Sequence, residues 1–153
     1  MKLSVRGEYA LRALLVLGRQ PAGIVVPIHA MAEEQRLPRK FLEQILNQLR
    51  HAGLVESRRG AAGGYRLGRP ANEISLAEVI RQVDGALAPV SCVSERFYEK
   101  CSCPEETRCP LRSIMKEVRD SVARQMEHTS VADLVARETH LQQNPMGPVD
   151  YTI

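Results

Sequence analysis

The sequence predicts a mainly α-helical fold with a small β wing. Two helical segments joined by a very short connection precede a glycine-rich hairpin, and a long amphipathic helix lies nearer the carboxyl end. A helix pair with an attached hairpin is typical of winged helix-turn-helix domains, and a long helix with an apolar seam is typical of paired helices. We therefore predict a winged helix-turn-helix domain plus a long dimerisation helix.

The composition fits one small protein with an aliphatic core. The 153 residues include no tryptophan, two phenylalanines and four tyrosines, so Leu, Val, Ile, Met and Ala must supply most of the core. No apolar run approaches the roughly 20 residues that span a bilayer. Charged residues interrupt the apolar opening stretch, so we expect no signal peptide. These features predict a cytoplasmic protein that makes no membrane contact.

Charge is distributed unevenly along the chain. The formal net charge is +3, but residues 1–69 contain 12 Lys and Arg against 5 Asp and Glu, whereas residues 70–153 contain 9 against 13. The front half therefore carries a net charge of +7 and the back half −4. A basic front half indicates a polyanionic partner for that half, such as DNA.

The front half opens with three helical segments. Apolar residues recur at helical spacing over residues 8–18, and a shorter helix is predicted over residues 28–35. Leu37-Pro38 then interrupts the chain, and proline suits the first turn of the next helix. Gly53 is expected to end that helix in the left-handed conformation.

The third segment is the predicted DNA-reading helix. Its apolar stripe consists of Phe41, Leu42, Ile45, Leu46 and Leu49. Its polar side consists of Arg39, Lys40, Glu43, Gln44, Asn47 and Arg50. Glu43 and Gln44 suit base edges, because glutamate accepts from cytosine and glutamine pairs with adenine. The arginines and lysine suit phosphates. The alternative interpretation is a structural lobe with a solvated basic face.

A hairpin follows this helix directly. Residues 54–55 and 65–67 are strand-like, and the GAAGG stretch between them is typical of a turn. Arg58, Arg59 and Arg66 crowd the tip and flanks of the hairpin. Small residues let a backbone approach a surface closely, and arginines beside them can bind phosphates or enter a minor groove. The hairpin is therefore predicted to be a DNA-binding wing.

The back half contains three further helical patterns. A capping box at Ser75–Glu78 begins a helix that ends near Gly85. Next, apolar residues at steps of four, three, four and four form a seam that must pack on another helix, of the same chain or of a partner: Leu111, Met115, Val118, Val122 and Met126. A short helix is predicted over residues 130–138, and residues 141–153 are predicted to be a disordered tail.

All four cysteines lie in one polar loop, spaced C-x8-C-x-C-x5-C: Cys92, Cys101, Cys103 and Cys109. In the cytosol such a cluster indicates metal or redox chemistry. We expect none of the four cysteines to lie in the core. Four thiolates suit tetrahedral zinc, three or four suit an iron–sulfur cluster, and a redox-active thiol loop is the third possibility. The pattern itself leaves these three open.

Several stretches together resemble one known family. They are MKLSVRGEYALRAL, FLEQILNQLRHAGLVESRRGAAGGYRLGRP and ISLAEVIRQVDG, followed by the cysteine loop. They resemble the Rrf-two family of bacterial winged-helix regulators, which includes the IscR, NsrR and RirA types. The resemblance covers roughly residues 1–135. It implies DNA binding by the winged domain, pairing of two subunits through the long helix, and ligation of an iron–sulfur cluster by three loop cysteines.

The resemblance assigns Cys92, Cys103 and Cys109 as cluster ligands and leaves Cys101 as an additional thiol. The IscR type has a ligand histidine three residues after its last cysteine, and Arg112 stands there in this sequence. The NsrR type takes an acidic ligand from the other subunit at position 8, which is Glu8 here. A two-iron (2Fe–2S) cluster is expected, with a four-iron (4Fe–4S) cluster as the alternative.

The sequence thus predicts a homodimeric, cytoplasmic transcription regulator, a repressor rather than an enzyme, that binds a pseudo-palindromic DNA operator. Its iron–sulfur cluster would sense cluster supply, iron, nitric oxide or redox state. The expected divisions are a DNA-binding domain over residues 1–85, the cysteine loop over 86–110, the dimerisation helix and a short helix over 111–140, and the tail. The alternatives are a DNA-binding regulator with structural zinc or a thiol switch, and an iron–sulfur redox protein that does not bind DNA.

Overall fold

The structure is a computed structural model that describes residues 3–147. This part of the chain contains six α-helices and one two-stranded antiparallel sheet. In chain order they are α1 (Val5–Gly18), α2 (Ile28–Gln35), α3 (Arg39–His51), β1 (Val55–Arg58), β2 (Gly64–Leu67), α4 (Leu76–Val83), α5 (Pro110–Glu127) and α6 (Val131–Gln143). The mainly α fold with a small β wing is therefore confirmed.

The main core lies where α1, α3 and α4 pack together. The predicted stripe of α3 supplies four of its residues, because Leu42, Ile45, Leu46 and Leu49 are all fully buried. Burying such side chains is worth about 1.5–3 kcal/mol each relative to exposure. The apolar face of α3 is thus fixed to the core, and its polar face is left outward.

A three-residue connection joins α2 to α3. Arg36 ends α2 in the left-handed conformation, with φ of 53°. Pro38 occupies the position just before α3, and Gly53 follows α3 with φ of +72°. The short turn and the glycine termination predicted from the sequence are both confirmed, and they hold α2 and α3 as a helix-turn-helix pair.

The hairpin pairs Val55 with Leu67 and Arg58 with Gly64. A side chain could not be accommodated at Gly63, where a Cβ atom would lie 2.4 Å from the carbonyl oxygen of Arg58. The glycine-rich turn is therefore required by the tight approach of the two strands. The hairpin is anchored to the domain by an isolated bridge between Val26 and Tyr65.

Two helix termini differ from the sequence prediction. Helix α1 begins at Val5, three residues early, because the Ser4 hydroxyl accepts from the Gly7 backbone N–H and donates to the Asp84 carboxylate. At α4 the Ser75 hydroxyl accepts from the Glu78 N–H, but the Glu78 carboxylate pairs with Arg69 at 2.7 Å. The capping box of α4 is therefore only half formed.

The carboxyl end of the described chain also differs from expectation. Helix α6 runs through Gln143, so residues 141–143, predicted as tail, are helical. Leu134 and Leu141, two turns apart on α6, line an open groove together with Leu15 of α1. The predicted tail residues 148–153 lie outside the described residues.

Helix α5 carries an apolar face that this chain leaves largely open. The exposed fraction is 58% for Leu111, 57% for Ile114 and 41% for Val118. Met126, predicted as part of the same seam, instead packs against a small core formed with α4. Of the predicted seam, Leu111 and Val118 are thus exposed, whereas Met115, Val122 and Met126 are half-buried by the chain itself. Among the described helices, none is long and apolar enough to cross a membrane.

Candidate cysteine centre and DNA-binding surface

The polar face of α3 and the wing enclose an open groove of about 520 Å³. Four arginines line this groove: Arg39 and Arg50 from α3, and Arg58 and Arg59 from the wing. No acidic residue is among its lining residues in the described part of the chain. The groove is therefore a site of positive potential, suited to a phosphate backbone.

The nine residues predicted to contact DNA are all exposed: Arg39, Lys40, Glu43, Gln44, Asn47, Arg50, Arg58, Arg59 and Arg66. Asn47 lines the groove with the four arginines, and its side-chain oxygen accepts from Arg50 at 3.4 Å. Lys40, Glu43 and Gln44 lie on α3 outside the groove lining. The structure therefore gathers five of the nine predicted residues in one groove.

Arg66 points to a different surface. Its guanidinium donates twice to the Glu56 carboxylate, at 2.7 and 2.9 Å, and it lines a second groove beside residues 17–24. His29, from the first turn of α2, also lines the arginine-lined groove, although its sequence context gave no sign of this position. Only the packing of α2 against α3 brings it there.

The four cysteines are brought together, and none forms a disulfide. Cys92 lies beside Cys101, Cys101 hydrogen-bonds Cys103, and the Sγ atoms of Cys103 and Cys109 are 3.8 Å apart. Cys92 is only 7% exposed and belongs to the buried residues, so the expectation that no cysteine lies in the core is wrong. The side chain is buried because the turn Ser91–Val93 packs against α5.

The mutual contacts set the acidity of the thiols. The pKa of Cys101 is lowered, chiefly because its sulfur accepts a hydrogen bond from Cys103. Donating that bond, together with the contact with Cys109, raises the pKa of Cys103 to about 12. Burial, followed by the proximity of Cys101, raises the pKa of Cys92. Cys101 therefore ionises more readily than Cys92 and Cys103.

Helix α5 begins inside the cysteine cluster. Cys109 is its N-terminal cap, and the Cys109 sulfur accepts from the Arg112 backbone N–H at 3.4 Å. The Arg112 side chain contacts the Glu106 carboxylate at 3.3 Å, and Glu106 in turn accepts from the Tyr98 hydroxyl at 2.8 Å. A network of charged and polar groups thus surrounds the thiols at the amino end of α5.

The donor set suits an iron–sulfur cluster, since thiolates are the ligands that iron–sulfur clusters take. The four sulfurs form a row of neighbours, and within residues 3–147 no three His, Cys, Asp or Glu side chains form a ready-made metal-binding group. Glu8 makes its contacts elsewhere in this chain, where its 57%-exposed carboxylate pairs with Arg12 at 3.2 Å. A bond from Glu8 would therefore have to reach a second subunit.

Taken together, the fold and this site define a winged helix-turn-helix transcription regulator with a cysteine loop at the start of its long helix. Sequence comparison then identifies the family to which the chain belongs. A family model described as Rrf2, iron-dependent transcriptional regulator, matches residues 3–137, and the chain belongs to this family. It is a family of regulators and not of enzymes.

Individual relatives agree with this assignment. An rrf2-like HTH-type transcriptional regulator of Rhodobacter capsulatus is 36% identical over 133 residues, which cover 84% of this chain and 89% of that protein. The structure of CymR, the global cysteine regulator of B. subtilis, matches with a TM-score of 0.75 and 30% identity over 90% of this chain and 98% of that one. The structure of T. potens IscR matches with a TM-score of 0.72 and 26% identity over 97% and 94% of the two chains.

Proposed function

We propose that this protein is a cytoplasmic, homodimeric repressor of transcription whose binding to a pseudo-palindromic operator is controlled by an iron–sulfur cluster. Cys92, Cys103 and Cys109 are the proposed ligands, with a two-iron cluster favoured. One observation carries the proposal: all four thiols gather at the amino end of α5, the helix whose exposed apolar face suits a partner subunit. The family membership and the likeness to IscR support it.

The arginine-lined groove would hold the DNA backbone. Glu43 and Gln44, exposed on α3, would then read base edges in the major groove. Arg58 and Arg59 would follow the phosphates from the wing. Two copies of this surface, related by a dimer axis along α5, would match two halves of an operator.

A continuous set of contacts leads from α5 to the reading helix. The carboxyl end of α5 is tied to α4 by the ion pair between Glu127 and Arg81. In turn, α4 accepts a hydrogen bond at the Gln82 carbonyl from the side chain of Gln48 on α3. A change at the amino end of α5 can therefore bias the position of α3, provided that the cluster binds more tightly when α3 is in one position than in the other.

When bound, the cluster supplies metal–thiolate bonds that are lost on oxidation or iron withdrawal. The chain's part is to hold Cys92 and Cys109, at opposite ends of the loop, close to one helix. Three cysteines leave one coordination position open, and Arg112 cannot fill it because a guanidinium stays protonated. Glu8 of the second subunit is the proposed fourth ligand, with Cys101 as the other candidate.

The test uses anaerobically purified protein, its visible absorption spectrum and its iron and sulfide content. Wild type is expected to show a sulfide-to-iron charge-transfer spectrum with equal iron and sulfide. Cys103→Ser should abolish the spectrum, whereas Cys101→Ser, the matched control two residues away, should retain it. A colourless protein containing one zinc would contradict the cluster, and the reverse pattern in the two variants would reassign the ligands.

A thiol switch is the second candidate, because the Cys103 and Cys109 sulfurs are already 3.8 Å apart. The likeness of this chain to CymR, a cysteine regulator, also supports a thiol switch. A peroxide would take two electrons and two protons from these thiols and form one disulfide. Hydrogen peroxide would be reduced to two molecules of water, and an organic hydroperoxide to one alcohol and one water. Retention of peroxide-dependent DNA release in iron-free protein would favour this candidate over the cluster.

A further inference from the structure

The turn that carries Cys92 is not adjacent to α5 in the sequence, yet it packs against that helix. Cys92 lies in the short 3-10 turn Ser91–Val93, and the turn packs directly on α5. Cys109, at the other end of the loop, is already part of α5 as its N-terminal cap. The position of Cys92 relative to Cys109 therefore depends on how the turn is fastened to the helix.

Two arginines of α5 make this attachment. The Arg112 Nε donates to the Cys92 carbonyl at 3.2 Å, and an Arg119 terminal nitrogen donates to the Val93 carbonyl at 2.9 Å. The two arginines are seven residues apart, which is two helical turns, so they share one face of α5. They grip consecutive peptide carbonyls of the turn. The two side chains together are called the arginine clamp below.

Arg119 is unusual in its environment. The residue is only 9% exposed, although arginine is almost never buried unless its charge is paired. Glu95 contacts the same terminal nitrogen at 3.2 Å, and Asp120 contacts the other at 2.5 Å. Its guanidinium charge is therefore compensated on both sides, so that a planar fork can be held rigidly beneath the turn.

The Nε of Arg119 is a further buried donor. This atom has no protein acceptor within the described part of the chain. Arg119 also lines a cavity of about 20 Å³, together with Ser94, Glu95 and Phe97 among others. That volume is enough for one water molecule. A bound water would complete the hydrogen bonding of the guanidinium and stiffen the clamp.

We propose that Arg119 is a positioning residue for Cys92, with Arg112 as the second arm of the clamp. The clamp sets the distance of the Cys92 sulfur from Cys101 and from the cysteines near α5. The inference deepens the proposed function, because it assigns a role in cluster binding to residues that cannot ligate. A ligand turn has to be held to within about 0.5 Å, and supporting contacts of this kind do so.

The test measures alkylation of each cysteine in the full-length, metal-free, reduced protein. Iodoacetamide labelling is stopped at intervals, and each cysteine-containing peptide is quantified by mass spectrometry. Arg119→Met, which keeps an unbranched chain but removes the donors, should raise the labelling rate of Cys92 roughly 10-fold or more. The reason is that local opening of the turn is no longer opposed by charged hydrogen bonds.

Cys109 in the same sample is the internal reference, because it is held by the start of α5 and not by Arg119. Its rate should stay within about twofold of wild type. Arg124→Met is the matched control, since Arg124 is an exposed arginine of the same helix. It should leave all four rates unchanged. Arg119→Lys should restore part of the protection of Cys92, because an ammonium keeps the charge but loses the fork.

An unchanged Cys92 rate in Arg119→Met would overturn the inference. A parallel rise at all four cysteines would do the same, because it would show general loosening of the fold. If Arg119→Met does not fold, the labelling rates of Arg119→Lys decide instead. A Cys92 rate in Arg119→Lys that does not rise selectively would contradict the clamp.

The experiment separates the clamp from the cluster. Selective exposure of Cys92 in a protein whose wild type never binds iron and sulfide would support the clamp and contradict the proposed cluster. Where wild type does bind the cluster, Arg119→Met should lose it several-fold faster to a chelator. Equal rates of loss in the two proteins would show that the clamp does not position a ligand.

Discussion

Two of the three wing arginines, Arg59 and Arg66, provide a sharp test of the DNA-binding surface. Arg59 lines the groove between the wing and α3, whereas Arg66, in the same hairpin, is paired with Glu56 and faces a different groove. Both side chains are exposed and both substitutions remove one positive charge. We expect Arg59→Ala to weaken DNA binding and Arg66→Ala to leave it nearly unchanged.

The expected magnitude follows from the number of arginines in the groove. Four arginines line it, and each phosphate neutralised contributes about −0.9 to the slope of log K against log salt. A dimer with all eight engaged would have a slope of about −7 from this groove. Removing Arg59 from both subunits should make the slope shallower by about 1.8. Between about 50 and 200 mM salt, wild type should then lose about 12-fold more affinity than the variant.

The assay is fluorescence anisotropy with a labelled operator duplex, repeated at four or more salt concentrations. The operator is first obtained by selection from a random library with the wild-type protein. Melting temperatures equal to that of the wild-type protein would show that both variants are folded. A change of slope in Arg66→Ala equal to that in Arg59→Ala would refute the assignment of the groove, because it would make the effect one of net charge alone.

Three further outcomes are expected. Val118→Glu should convert the dimer to a monomer in sedimentation, because it puts a charge into the exposed α5 face. Ile24→Glu, at a distant exposed site, is the control and should leave the dimer intact. A wild-type protein that is monomeric at micromolar concentration would contradict the interface. Glu8→Ala should destabilise the cluster and Glu8→Cys should restore it, and an unaltered spectrum and DNA response in Glu8→Ala would leave Cys101 as the fourth ligand. In metal-free protein, alkylation of Cys101 should begin at lower pH than that of Cys103, because the pKa of Cys101 is lowered and that of Cys103 is raised to about 12; the opposite order would contradict the contact between these two thiols.

The elements that the sequence predicts well are those set by local pattern. The stripe of α3 is buried as expected because Leu42 and Leu49 lie on one helical face whatever they pack against. Gly53 takes the left-handed conformation because a helix ending there needs it. The hairpin follows from its glycines in the same way. These features require no knowledge of distant contacts.

The features that the sequence could not predict depend on residues far apart in the chain. The early start of α1 depends on Asp84, 80 residues from its partner Ser4. The orientation of Arg66 depends on its pairing with Glu56 across the hairpin, and the burial of Arg119 depends on the turn that follows α4. A charged residue in a helical pattern is normally predicted to be exposed, so Arg119 gave no local signal.

Gathering of the cysteines was predictable in part. Their spacing within one loop indicates a common site, but it does not specify which sulfurs touch. The order found runs from Cys92, whose carbonyl accepts from Arg112 of α5, through Cys101 to the pair Cys103 and Cys109. Cys101, the extra thiol of the family comparison, thereby lies in the centre of the row.

Control of DNA binding by the state of the cysteine loop can be measured in one paired titration. Cluster-loaded protein and the same preparation after cluster removal under reducing conditions are titrated side by side onto the operator at fixed salt. We expect the two affinities to differ by roughly 5- to 150-fold, the usual range of coupling between two sites, and the difference to be abolished in Cys103→Ser. Equal affinities of the loaded and cluster-free wild-type protein would contradict this control.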